Sequence, residues 1–325
     1  MMKSVFDLST PMSLEKTIAV YEYCRPLMPA LKHKDHSPQK AERLRDLLPQ
    51  FDALLLDGYG VLNVGAEVVP QAQEMITQAQ EQGIITMVLT NGASKDKKTA
   101  SQKYQQLGLS LDPSLIISSR DALLWQLENH GQDLSRLGVV DSFTDLPLGL
   151  DMDAVALTPH SPQDWLVCDA IGFFGAVHWD QNWQNMLEAA IKAEIPIMVA
   201  NPDVTAPHQG GFSREPGFWV AKAVHDLGLN LEEAPAKVNI SWFGKPHGAV
   251  YDLALKRLEE TSGRTSLKRN RIAMVGDTLH TDILGGHAAG LSTVLITGHG
   301  LFRQGNVEET MKKTGIIPDY MTVTV

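Results

Sequence analysis

Cysteine is nearly absent: Cys24 and Cys168 are the only two in 325 residues. So separated a pair offers no disulfide framework and no cysteine-rich metal cluster, and it suits a reducing compartment. No apolar run approaches the ~20 residues of a membrane span. The opening stretch MMKSVFDLSTPMSLEKT also lacks the apolar core of roughly 7–15 residues that a secretory signal needs. A cytoplasmic protein that does not engage membranes is the expectation. Positive charge is short as well, with 28 Lys and Arg against 38 Asp and Glu, a net charge of −10. That balance disfavours broad contact with nucleic-acid backbones or anionic lipid. Internal repeats and low-complexity tracts are missing, which excludes solenoid and linker architectures.

What the chain has is apolar content, 43% of residues, distributed as short continuous runs between longer amphipathic ones. Runs at 53–56, 84–89, 196–200, 238–243, 271–275 and 293–297 read as buried strands, and stretches at 70–82, 94–107, 181–193, 214–228 and 246–260 read as helices. Near-continuous apolar strands alternating with helices predict an α/β fold with a mostly parallel sheet covered on both faces. In such sheets a ligand sits beyond the carboxyl ends of the strands. Asp57 follows the first run, Thr90-Asn91-Gly92 the second, Gly244-Lys245-Pro246 the fourth and Gly276-Asp277 the fifth. Two carboxylates, a hydroxyl and a lysine are thus expected at one crevice.

Two regions depart from the alternation. Residues 1–48 carry one predicted helix, Leu14–Leu27, and read as an extension packed on the core. Residues 131–235 hold weaker strand signals, the tryptophans Trp165, Trp179, Trp183 and Trp219, and the stretch NPDVTAPHQGGFSREPG. They are expected to form a second domain inserted into the first, which would comprise 49–130 and 236–325.

Each polar residue has an ordinary structural alternative. Asp57 before glycine suits a turn, Thr90-Asn91-Gly92 a loop, and Lys245-Pro246 a helix start. Asp277 and Asp282 suit a helix N-terminus. None of these alternatives explains why four strand ends should all carry such residues. His280 and His287, seven apart, are expected on a solvated helix face with His299 nearby, and the tryptophans in the core.

LLLDGYGVL, VLTNGAS, FGKPHGAVYDLAL and VGDTLHTDILGGHAAG resemble, in order and spacing, the four motifs of the haloacid dehalogenase-like (HAD) superfamily. The insert and its ANPD stretch resemble the class IIA, C2-capped phosphatases of nucleotidase and nitrophenyl-phosphatase type, over residues 50 to 315. The resemblance implies a Rossmann-like core with an inserted α/β cap, whose closure would exclude water and set specificity. It further implies Asp57 as nucleophile, forming an aspartyl-phosphate. Mg²⁺ would be held by Asp57, the Tyr59 carbonyl and Asp277, with Asp282 positioning a metal-bound water or Lys245. Thr90 and the N–H groups of Asn91 and Gly92 would hold the phosphate, and Lys245 would neutralise it. Asn201, Asp203 and Arg214 are candidate substrate contacts from the cap.

At position 59 these phosphatases carry a second aspartate, the acid/base; here it is Tyr59. Acid–base assistance is worth roughly 10²–10⁴-fold, and a phenol of pKa ~10 is a poor base at neutral pH. The implied function is a Mg²⁺-dependent phosphatase-type hydrolase for a small phosphorylated metabolite, its activity reduced or specialised by Tyr59. The alternatives are a phosphate-ligand-binding protein with little turnover, and a haloacid dehalogenase, whose first motif also reads D-x-Y-G. Gly276-Asp277 and Thr281-Asp282 favour metal and phosphate over dehalogenation. The expected partner is a small phosphorylated molecule, with neither nucleic acid nor membrane, and a homodimer is compatible with this reading.

Overall fold

The computed structural model describes residues 5–31, 36–129, 134–140, 148, 152–208, 211–231, 238–263 and 267–325. Two parallel sheets organise them. The larger has seven strands in the order Gln39–Lys40, Tyr320–Thr322, Ser292–Ile296, Ile272–Gly276, Ala53–Leu56, Ile85–Thr90 and Ile116–Ser118. Every pairing in it is parallel.

Successive side chains of a strand point to opposite faces. Leu54 and Leu56 accordingly join Met75, Ile76 and Val275 in one cluster, while Ala53 and Leu55 join Met87, Val250 and Leu258 in the other. With both faces covered, an unbroken apolar run is what the position demands. Cutting one such leucine to alanine typically costs about 2–5 kcal/mol. The covering helices follow the apolar spacing: Ala72–Glu81 buries Ala72, Met75, Ile76 and Ala79, one stripe of its surface. Lys97–Gln106 begins where the Asp96 carboxylate accepts from the Thr99 N–H at 2.8 Å.

The second sheet has five strands, in the order Ile240–Trp242, Ile197–Val199, Ala170–Phe173, Arg136–Val140 and Asp153–Ala156, again all parallel. Here too the faces alternate. Ile171, Phe173, Ile197 and Val199 pack on Leu187, Phe218 and Trp219, whereas Ala170, Met198, Leu137 and Val139 pack on Leu123, Phe174 and Phe243. Trp165 and Trp219 are buried, and the other four tryptophans pack against these cores.

This sheet corrects one expectation. The run at 238–243 belongs to it and not to the larger sheet, because Ile240 pairs with Ile197 and Trp242 with Val199. So short a strand, here at a sheet edge with Ser241 exposed, carries no mark of which sheet it joins. The expected insert boundaries at 131 and 235 lie outside the described residues.

The N-terminal helix is shorter than the periodicity suggests. Ser13 caps Leu14–Tyr23, and the chain then turns through Arg25–Leu27, where Pro26 lacks an N–H and cannot continue the ladder. Its contacts are wider than expected. Phe6, Met12, Val20, Tyr21 and Cys24 join the core of the second sheet, while Leu14, Met28 and Leu31 pack against Leu279, Ile283 and Leu301 beside the first. Gln39–Lys40 then adds an edge strand to the larger sheet. Among the described residues no helix is long and apolar enough to cross a membrane.

Candidate active site

Ile272–Gly276, Ala53–Leu56 and Ile85–Thr90 are neighbours in the larger sheet, so their carboxyl ends deliver Asp277, Asp57 and Thr90 to one edge. Asp282 comes from a turn of π-helix, Leu279–Ile283, just beyond Asp277, a geometry frequent at functional sites. Lys245 arrives from the other body, three residues after Ile240–Trp242. Its ammonium, 1% exposed, donates to Asp57 Oδ1 at 2.7 Å and to Asp282 Oδ1 at 2.6 Å.

Oxygens of Asp57, Asp277 and Asp282 all lie within 4.8 Å of one another. Asp277 is fixed by the Leu301 N–H at 2.7 Å and the Thr278 hydroxyl at 2.9 Å, and Asp282 by the Thr278 N–H at 3.0 Å. Gly60, at φ +77°, leaves the space that Asp277 fills, since a Cβ there would lie 2.4 Å from Asp277 Oδ2.

Three buried carboxylates against one lysine leave an excess of negative charge. Burial, then Asp282 and Asp57, push the Asp277 carboxyl well up. Burial likewise brings Asp282 up to about 6, against the pull of Lys245. Burial alone would lower Lys245, but Asp282 and Asp57 raise it. The residual charge and the hard oxygen donors fit a divalent cation such as Mg²⁺. In the turn after Asp57, the Gly58 carbonyl accepts from Leu62 and Asn63, and Gly60 donates to Asn63. The Tyr59 carbonyl is left without a backbone partner among the described residues.

Asn91, 1% exposed, uses its side chain as a clamp. Nδ2 donates to Asp203 Oδ1 at 2.8 Å and to the Lys245 carbonyl at 3.0 Å, while Oδ1 accepts from the Lys245 N–H at 2.7 Å. The Gly92 N–H donates to the Thr90 hydroxyl at 3.2 Å. Asp203 therefore reaches the loop after Ile85–Thr90, and its burial pushes the carboxyl up to about 8 even though Lys245 pulls it down. Asn201 holds the Asp203 N–H and donates to Glu215. Arg214 does not join them; it donates to the carbonyls of Leu8 and Thr10 at 3.2 and 2.7 Å, which ties the cap to the N-terminal segment.

Tyr59 is half-buried, and burial, then Glu215 and Asp57, raise its phenol above the ordinary value. The Lys103 ammonium stands 4.4 Å from the Tyr59 ring centroid and 5.2 Å from that of Tyr104, and donates to Asn63 Oδ1 at 3.1 Å. Burial, then Lys95, bring it down to about 8. Lys103 and Tyr104 were not legible as site residues. Lys95, Lys97, Lys98 and Lys103 share one helical stretch, and only the inward phase of the helix distinguishes the last.

The histidines correct another expectation. His280 is fully buried and His287 is 6% exposed, so neither lies on a solvated face. His280 stacks on Tyr21 with ring centroids 4.9 Å apart and lies 2.7 Å from Glu22. His287 meets Thr293 and Asp319. Half-buried His299 meets Thr324. All three make structural contacts. A further tie across the two bodies is the Tyr21 hydroxyl, which accepts from the Val204 N–H at 3.2 Å.

Two family models match the chain, one described as haloacid dehalogenase-like hydrolase over residues 54–141 and one as HAD-hydrolase-like over residues 242–323. The acid sugar phosphatase of Staphylococcus haemolyticus is 23% identical over 252 residues, 76% of this chain and 85% of that one. Chronophin of Mus musculus is 25% identical over 294 residues, 87% of this chain and 93% of that one. The crystal structure of a possible sugar phosphatase of the HAD superfamily from Cytophaga hutchinsonii superposes with a TM-score of 0.68 at 24% identity, covering 88% of this chain and 98% of that one. Two separate segments of the chain thus match haloacid dehalogenase-like hydrolases, and the fold is that of the capped proteins of this superfamily.

Proposed function

We propose that this haloacid dehalogenase-like phosphatase hydrolyses the phosphomonoester of a small metabolite through an aspartyl-phosphate on Asp57. The observation that carries the reading is the buried group of Asp57, Asp277, Asp282 and Lys245, gathered from both bodies at the carboxyl ends of parallel strands. Asp57, Asp277 and the Tyr59 carbonyl would hold Mg²⁺, which when bound offsets the repulsion between a carboxylate and a phosphate dianion. Lys245 fixes one oxygen of Asp57 and supplies positive charge to the phosphoryl oxygens. Asp282 positions Lys245. Thr90 and the amides of Asn91 and Gly92 would cradle the phosphate, the Gly92 N–H turning from the Thr90 hydroxyl to the ligand.

Asp57 attacks phosphorus, and the ester P–O bond breaks with its electron pair on the leaving oxygen. Water then cleaves the acyl phosphate, releasing inorganic phosphate and regenerating the Asp57 carboxylate. Tyr59 stays protonated through this cycle because its surroundings raise its phenol, so it serves neither as the base for that water nor as a strong acid. Esters of acidic alcohols and phenols are therefore the favoured substrates. Asn201 and Asp203 support the phosphate loop in this reading, and Arg214 has no part in the site.

The test is hydrolysis of 4-nitrophenyl phosphate with Mg²⁺ and with chelator, beside Asp57→Asn. Metal-dependent turnover lost in the variant, with an unchanged melting profile, is the expected result. A variant that retains full activity defeats the proposal. Phosphate-induced thermal shifts with no turnover would support the binding-protein alternative, which the absence of a carboxylate at position 59 favours.

A further inference from the structure

Lys103 is a half-buried cation whose ammonium meets two aromatic rings and an amide oxygen, and among the described residues no carboxylate forms an ion pair with it. Taking an ammonium out of water is costly unless something offsets it. Aromatic faces do so in part, by about 0.5–2 kcal/mol each. The rest of its field points at the reaction centre: Asp57 acts on it electrostatically, and its two aromatic supports flank the nucleophile. Tyr59 follows Asp57 by two residues, and the Tyr104 hydroxyl lies where a Cβ on Gly58 would come within 2.6 Å of it.

Asp57 already has one cation in contact. Lys245 donates to its Oδ1 and to Asp282 Oδ1, and in the phosphatase reading that charge serves the phosphoryl oxygens. Lys103 stands over the ring of Tyr59, the position at which the phosphatases this chain resembles carry the acid for the leaving oxygen. A fixed cation aimed where charge develops stabilises the transition state without any proton moving, and in a water-poor site this is commonly worth about 10²–10³-fold.

We propose that Lys103, seated on the Tyr59 ring, stabilises the negative charge that develops on the leaving oxygen as the phosphorus–oxygen bond breaks, in place of proton donation by a carboxylic acid at position 59. The role rests on the phosphatase reading above. Electron balance is simple: the bond pair goes to the leaving oxygen, Lys103 keeps its protons, and solvent protonates the released alkoxide or phenoxide. Tyr59 is the platform that fixes the ammonium, so the tyrosine and the lysine act as a unit.

A leaving-group series tests it. kcat/KM reports the first bond-breaking step whichever later step limits turnover, so it is measured for 4-nitrophenyl, phenyl and a simple alkyl phosphate with wild type, Lys103→Met and Lys103→Arg. Lys103→Met keeps the length of the side chain without its charge. Its loss should grow with the basicity of the leaving group, from a few-fold with 4-nitrophenyl phosphate to about 100-fold with the alkyl ester. Lys103→Arg should restore the shallower dependence. An equal loss on every substrate means a packing role and overturns the proposal, as does no loss at all. If wild type shows no turnover that Asp57→Asn removes, the phosphatase reading itself fails and Lys103 loses its role with it. Melting curves establish that the variants are folded, and the ratio between substrates is indifferent to the amount of active protein.

Discussion

Replacing Lys245 by methionine should destabilise the metal-free protein and leave it more dependent on Mg²⁺ than the wild type. The ammonium makes contacts of 2.7 Å to Asp57 and 2.6 Å to Asp282, at sites where both partners are nearly out of water. Breaking a buried pair by removing one member costs about 3–5 kcal/mol, because the other charge remains. Here two carboxylates are stranded beside Asp277, which argues for the upper end. Protonation works the other way: Asp282, already up at about 6, takes a proton at pH 7 for roughly 1.4 kcal/mol per pH unit. The net expectation is about 3 kcal/mol, a fall in Tm of about 4–5 °C for a chain of this length. Adding Mg²⁺ supplies the missing positive charge and stabilises by mass action. The assay is thermal unfolding of both proteins in chelator and in millimolar Mg²⁺. The metal-induced rise in Tm should be larger for the variant. Equal Tm values in chelator, or equal metal responses, would refute the view that these carboxylates form a charge-deficient metal site.

Two further outcomes follow from the same geometry. Tyr59→Asp restores a carboxylate beside the nucleophile and should raise turnover of alkyl phosphates by about tenfold or more; an unchanged rate would mean that proton transfer is not what limits this enzyme. Asp203, with its folded carboxyl at about 8 against 3.8 when unfolded, contributes stability that is complete below pH ~4 and lost as pH rises through about 8. Asp203→Asn, which still accepts from Asn91, should therefore remove much of the wild type's loss of Tm between pH 5 and 9, and parallel Tm–pH curves for the two proteins would count against it.

Much of the core was legible because its physics is local. Ala53–Leu56 had to be unbroken apolar sequence to be covered on both faces, and the residue ending each such strand had to face the crevice. What stayed hidden depends on partners distant in sequence. Nothing in residues 238–243 distinguishes one parallel sheet from another. Arg214 neighbours the Asn201–Asp203 loop in sequence, yet it is drawn off by the carbonyls of Leu8 and Thr10. His280 is buried because Tyr21 and Glu22, more than 250 residues earlier, cover it. Arg136–Val140, Asp153–Ala156 and Ala170–Phe173, of four or five residues each, were too short for periodicity to mark.

The N-terminal segment bridges the cap and the core. Glu22 touches His280, Tyr21 meets Val204, Arg25 reaches the Thr314 carbonyl, and Leu8 and Thr10 hold Arg214, so one short stretch rivets both bodies at several points, while Asn91 and Asp203 bolt them together from within. Any movement of the cap against the core must therefore break these contacts, several of them made by residues far from the crevice.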